Sequence, residues 1–189
     1  MTKKLLIYNS GGGIGDSIQL FPLILSLKNL FEKSEIYYLG AHENHYLGKL
    51  KEYNVKVKTL NLGLKYFGFR WWHLLAAKSK FKKYNIQKFD LIIDLQTKIR
   101  NTLALKLIPH EFFLSPCLNF KLSKPSLKMK KNKHISKDLI TGINKIFKTD
   151  CKLIDFNIKK IESKFFKEAE RLLPKNNYVG FSITQGNVY

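Results

Sequence analysis

Leu5-Leu6-Ile7-Tyr8-Asn9-Ser10-Gly11-Gly12-Gly13-Ile14-Gly15-Asp16 is the stretch that decides the fold. An apolar run stops at a polar pair, glycines crowd the next positions, and a second apolar pattern runs from Ile18 to Phe31. This reads as strand, glycine turn, helix. Glycine has no Cβ, so backbone N–H groups in such a loop can approach a ligand closely. The helix starts with its positive end toward the loop, and Asp16 sits at the junction. An acid is favoured in any first helical turn, so an ordinary βα turn would also place it there. Two phosphate-binding patterns are excluded. A P-loop needs Gly-Lys-Ser/Thr, and here Gly15 is followed by Asp16 and Ser17. A dinucleotide fingerprint counted from Gly11 needs its third glycine where Asp16 stands. A close-approach loop carrying an acid suits a hydroxyl-bearing ligand better than a bare pyrophosphate.

Outward from this turn, strand-like and helical patterns alternate. Glu35–Gly40 reads as a second strand, a short helix is expected over Glu43–Lys51, and Val55–Leu60 reads as a third strand. Leu64–Tyr84 has helical period, and Asp90–Leu95 is a continuous apolar run typical of a strand buried on both faces. A short helix over Ile99–Leu107 and a strand over Glu111–Leu114 follow. The pattern predicts an α/β fold: a Rossmann-like, doubly wound parallel sheet of order 3-2-1-4-5. In that order strands one and four are neighbours where the winding reverses, and ligands bind beyond their carboxyl ends. The Asn9–Asp16 loop is therefore expected beside Gln96-Thr97-Lys98-Ile99-Arg100-Asn101.

Ser115–Lys133, with Pro116, Pro125 and many lysines, reads as a mobile basic loop, and His134–Phe147 as a helix. The first domain is expected to cover 1–150. Residues 151–189 read as a linker and the first helix and strand (Ile161–Leu173, Tyr178–Ile183) of a truncated second domain. One helix and one strand cannot bury a core of their own.

The chain carries 34 Lys and Arg against 14 Asp and Glu, a net charge of +20 that favours an anionic partner. Only Arg70, Arg100 and Arg171 are arginine, the residue enriched where phosphates and bases are read bidentately. A lysine-rich, arginine-poor balance argues against nucleic acid. Cys117 and Cys151 give neither a disulfide framework nor a metal spacing, and the histidines are scattered, so no metal site is expected. The apolar run after Met1-Thr2-Lys3-Lys4 is too short for a signal-peptide core, no stretch nears the ~20 apolar residues of a spanning helix, and a cytoplasmic setting is expected. Leu64–Tyr84 mixes Phe67, Phe69, Trp71 and Trp72 with Lys65, Arg70, Lys78 and Lys80. That composition suits either a helix packed on the sheet or a peripheral contact with an anionic membrane at its inner face.

Three motifs together resemble the glycosyltransferase family 9 proteins, the heptosyltransferases of lipopolysaccharide core assembly. The first is Gly12-Gly13-Ile14-Gly15-Asp16 after a strand, with Pro22 in the following helix. The second is Asp94-Leu95-Gln96 followed by Arg100-Asn101, and the third is Tyr178 to Gln185, an apolar strand running into a polar loop. Asn9 and Ser10 stand where the family usually has Arg or Lys, and Arg100-Asn101 where it often has Lys-Ser. The resemblance implies a two-domain GT-B enzyme that inverts at the anomeric carbon, with 1–150 as the acceptor-side domain. By that resemblance Asp16 is the catalytic base, and Gly12, Gly13, Gly15, Gln96, Arg100 and Asn101 meet the acceptor. Thr184 and Gln185 would meet the diphosphate of the donor. It implies no metal and no cofactor, a nucleotide-diphosphate sugar as donor, and a glycolipid or glycan as acceptor. The 189 residues alone are expected to be inactive. The competing reading from the residues is a non-catalytic nucleotide- or sugar-binding α/β module.

Overall fold

The computed structural model describes residues 2–11, 13–41, 43–53, 55–64, 66–82, 88–132, 134–154 and 162–179. Its first compact unit spans Met1–Ile154. Five strands form one parallel sheet: β1 (Lys3–Asn9), β2 (Ser34–Gly40), β3 (Val57–Thr59), β4 (Phe89–Asp94) and β5 (His110–Leu114), in the order β3-β2-β1-β4-β5. This is the doubly wound, Rossmann-like topology expected from the pattern.

Strand alternation sorts the core into two layers. Leu5 and Ile7 of β1 point to one face with Ile36, Tyr38, Leu91 and Ile93. There they meet α2 (Phe21–Leu30) through Leu23, Ile24 and Leu27, and α5 (Ile135–Phe147) through Leu139, Ile140 and Ile143. Leu6 and Tyr8 point to the other face, where Ala77 and Phe81 of α3 (His73–Phe81) and Ala104 and Leu105 of α4 (Ile99–Lys106) cover them. A fully buried Leu or Ile contributes about 1.5–3 kcal/mol, so both layers hold the sheet from either side.

Several expected elements differ. The helix after the glycine loop is two pieces, α1 (Ile14–Gln19) and α2, parted at Leu20 just before Pro22, whose ring supplies no N–H. Residues 43–51 form turns that lead into a single 3-10 turn, Lys51–Tyr53, instead of a helix. The expected helix over 64–84 begins only at His73. Tyr66 (φ 51°) and Gly68 (φ 84°) take left-handed backbone that an α-helix cannot contain.

The segment expected to be a mobile basic loop is stitched down. Phe113 and Lys124 exchange two backbone hydrogen bonds at 3.0 and 2.7 Å, and Cys117 and Phe120 are fully buried. Lys121, Lys124, Lys128, Lys130 and Lys131 are exposed, while Leu127 among them is buried. At its end the first unit reaches past residue 150. Cys151 N donates to Asn144 Oδ1 (2.9 Å) and Ile154 N to Ser26 Oγ (2.9 Å).

A second compact unit spans Asp155–Tyr189. Its described part holds α6 (Ser163–Leu172), and every described residue from 162 to 179 is exposed, including Phe165, Phe166, Leu172 and Leu173. The strand expected over Tyr178–Ile183 falls mostly outside the described residues, as do Thr184 and Gln185.

Candidate functional site at the switch point

β1 lies between β2 and β4, so the loops after β1 and β4 leave the sheet side by side. A side-chain bond joins them directly. Asn9, the last residue of β1 and buried, accepts at Oδ1 from Gln96 Nε2 (3.3 Å) and from its own loop at Gly11 N (3.1 Å). The two loops thus share one crevice at the carboxyl edge.

Asp16 stands in the first turn of α1 and is exposed. Its carboxylate folds back over the loop. A Cβ built on Gly11 would lie 2.7 Å from Asp16 Oδ2 and 3.2 Å from Asn9 Oδ1. Glycine at position 11 is therefore what lets the carboxylate sit there. Gly13 is the N-cap of α1 and its Cβ would be 3.8 Å from the same oxygen, while Gly15 has nothing within 4 Å; both are exposed. Gly12 lies outside the described residues.

Beneath Asp16 is a buried polar floor that the sequence did not reveal. Tyr38 of β2 leans along its strand toward the carboxyl edge, over Gly40, where any Cβ would come within 2.4 Å of the ring. Its Oη arrives beside Asn9, Ser17 and Asp16. Burial, with the Asp16 charge added, pushes the phenol up to about 12, so it stays a protonated donor at neutral pH. Neither the Tyr38 hydroxyl nor the buried Ser17 hydroxyl completes a hydrogen bond among the described residues. Tyr46 closes the floor by donating its hydroxyl to Ser17 O at 2.7 Å. The only sequence signal for Tyr38 was a glycine two positions on at the strand end, on the same face.

The second loop is organised by a different carboxylate. Asp94 ends β4 and is fully buried. Its Oδ1 accepts from Gln96 N (2.8 Å), and its Oδ2 from the hydroxyls of Thr102 (2.6 Å) and Ser115 (2.9 Å). Burial pushes this carboxyl up to about 6, against the pull of those three donors. Asp94 fixes the backbone that carries Gln96, and Gln96 reaches across to Asn9.

Arg100 and Asn101 differ in exposure. Arg100 is partly exposed; its Nε donates to Gly68 O (2.8 Å) and its guanidinium lies 5.8 Å from the centre of the Trp71 ring. Its terminal nitrogens make no hydrogen bond among the described residues, so they stand available at the rim. Asn101 is fully buried and donates from Nδ2 to Tyr8 Oη (3.2 Å), beneath the 66–72 turn. From there it supports Tyr8 and does not reach the surface of the crevice. Gly68 N donates to Nδ1 of the buried His73 (2.9 Å), which ties that turn to α3.

A cavity of about 430 Å³ opens beside the crevice, beyond the carboxyl ends of β2 and β3. Tyr38, Gly40, Asn44, Thr59, Asn61 and Tyr66 contribute to its lining. Tyr38 is shared by this cavity and the floor beneath Asp16, whereas Asp16 itself is not among the lining residues.

No family model and no curated protein matches this sequence. A solved structure does. It is titled "The crystal structure of the glycosyl transferase family 9 from Veillonella parvula DSM 2008", and it superposes with a TM-score of 0.51 at 17% identity. This chain is similar in fold to a family 9 glycosyltransferase. The match covers 89% of this chain and 48% of that one, so the chain spans about half the length of its solved counterpart. The likeness concerns the fold and agrees with the resemblance drawn from the glycine loop and the Asp94-Leu95-Gln96 motif.

Proposed function

We propose that this chain is the acceptor-side part of an inverting glycosyltransferase. In this reading it moves a sugar, heptose being one candidate, from a nucleotide-diphosphate sugar to a glycolipid or glycan acceptor of the cell envelope. The reaction would take place on the cytoplasmic side, where the first domain presents the acceptor and a second domain the donor. The observation that supports the reading best is the placement of Asp16. An exposed carboxylate lies over Gly11 at the switch point, beside the Asn9–Gln96 bridge, in a fold similar to that of a family 9 structure.

The chemistry follows from that placement. Asp16 takes the proton from an acceptor hydroxyl as its oxygen attacks the anomeric carbon. The nucleoside diphosphate leaves from the opposite face. General-base help of this kind is worth roughly 10²–10⁴ in rate, and positioning supplies the rest. Gly13 and Gly15 leave room for a sugar ring above the loop, and Gln96 and the terminal nitrogens of Arg100 orient its polar groups. Asn101 acts one layer down, through Tyr8. Gly12, Thr184 and Gln185 keep the roles the resemblance implies, the latter two on the donor's diphosphate.

The test is a transfer assay with a two-domain enzyme that carries this chain. Nucleotide-diphosphate sugars and envelope glycolipid extracts are supplied, and nucleoside diphosphate release and product anomer are read by NMR. Acceptor-dependent release with inverted configuration is expected. Donor or sugar binding without acceptor-dependent release would make the chain part of a binding module instead.

A further inference from the structure

We propose that the lip formed by the 69–75 turn and the start of α4 docks this protein onto an anionic lipid surface. Large apolar side chains stand in water there. Trp71 is 61% exposed, Trp72 55%, Leu75 86% and Ile99 46%. Isolated exposed apolar residues are ordinary, but here they are neighbours. Trp71, Trp72 and Leu75 fall on adjacent turns at the start of α3, and α3 packs beside α4. The Arg100 guanidinium over the Trp71 ring joins the two elements.

The charge around this lip names the occupant. Arg70, Lys98 and Arg100 border it, with Lys98 Nζ 5.7 Å from the centre of the Phe69 ring. Residues 61–84 and 95–107 contain no Asp or Glu, although the chain holds 14. Paired tryptophans beside Arg70, Lys98 and Arg100 match the headgroup level of an anionic bilayer, where indole rings settle and basic residues meet lipid phosphates. No helix among the described residues is long and apolar enough to cross a membrane, so this contact is peripheral. The other basic region, Lys121 to Lys131, contains no aromatic residue, and its largest aliphatic side chains are buried or only partly exposed.

The chain supplies its own reporter, because Trp71 and Trp72 are its only tryptophans. The 189-residue protein is titrated with phosphatidylglycerol-rich vesicles and with pure phosphatidylcholine vesicles, each with and without brominated acyl chains. The expected result is a blue shift and bromine quenching of the indole emission with the anionic vesicles only, weakened by added salt. Trp71→Ser combined with Leu75→Ser keeps Trp72 as probe, removes two exposed side chains, and should lower vesicle partitioning about tenfold or more. A Lys128→Gln/Lys130→Gln variant should retain most of the binding. Three results would each overturn the proposal: no vesicle binding, binding with unchanged and unquenched emission, or binding that follows the 121–131 lysines. The assay contains no donor and no acceptor, so its failure leaves the transferase reading untouched, and a failed transfer assay says nothing against docking.

Discussion

Two aspartates mark the ends of the two central loops, and they live in opposite environments. Asp16 is exposed, lies over a glycine, and has unsatisfied buried hydroxyls near it. Asp94 is fully buried, and three donors from three different segments converge on it. Each stands just beyond or at the end of one of two adjacent parallel strands, so backbone position does not separate them. Surroundings do. A carboxylate that must meet a substrate needs an open side, whereas one that organises a loop needs every lone pair occupied. The comparison gives Asp94 an architectural role and supports the reactive role proposed for Asp16.

The largest stability effect should come from emptying the architectural site. Asp94→Ala strips the acceptor from Gln96 N and from the Thr102 and Ser115 hydroxyls in a dry environment, and should cost about 3–5 kcal/mol. Urea unfolding measures it; a loss below about 1 kcal/mol would mean that the loop holds without its anchor. Gly68→Ala should come next, at about 2–3 kcal/mol. Its φ of 84° disfavours any side chain, and a Cβ would meet Tyr8 Oη at 2.9 Å and Asn101 Cα at 3.0 Å. The same unfolding series reads it, and an unchanged midpoint would show that the 66–72 turn is not tied to the site.

pH sharpens the contrast further. The Asp94 carboxyl is pushed up to about 6 from 3.8, so the native protein keeps a proton there that the unfolded chain has already released. That group's contribution is fully present below about pH 4. It is lost as pH rises through about 6, a fall on the order of 1–3 kcal/mol. Other carboxylates add their own slopes, so the quantity to read is the difference between wild type and Asp94→Asn across that window. The variant should lack the descending component; parallel curves would mean that Asp94 titrates normally. The smallest effect is expected for Gln96→Ala, about 1 kcal/mol or less in stability, because the bond to Asn9 is long and partly exposed. A larger loss would make the bridge structural and not a presenting arm.

Much of this was legible in the sequence. The sheet order followed from alternating patterns punctuated by glycines and polar loops, and order alone put the two loops together. What escaped had physical causes. The aromatic residues of 64–72 repeat with helical spacing, but the left-handed backbone at Tyr66 and Gly68 breaks the helix before His73. Strand alternation told which face Tyr38 occupies and not that its ring lies along the strand over Gly40. Asp94-Leu95-Gln96 reads alike whether the acid meets a ligand or anchors a loop, because its Thr102 and Ser115 partners come from other segments. Asn101, expected at the acceptor, proved to be buried against Tyr8, a contact between distant segments with no local signature. Prolines and lysines in 115–133 suggested mobility, but the tie between Phe113 and Lys124 depends on a return of the chain that composition does not encode.

The division of labour between the two carboxylates is tested most directly by replacing each with its amide in a two-domain enzyme and measuring kcat, donor Kd and the urea midpoint together. Asp16→Asn should lower kcat by about 10² or more while donor affinity and the urea midpoint stay within error of wild type. Asp94→Asn should leave most of kcat in place, lower the urea midpoint because an amide nitrogen cannot accept from the donors that converge there, and remove the pH-dependent component. If Asp16→Asn instead lowers the urea midpoint or donor binding in step with kcat, or leaves kcat unchanged, then Asp16 is a first-turn helix residue and the proposed base lies elsewhere.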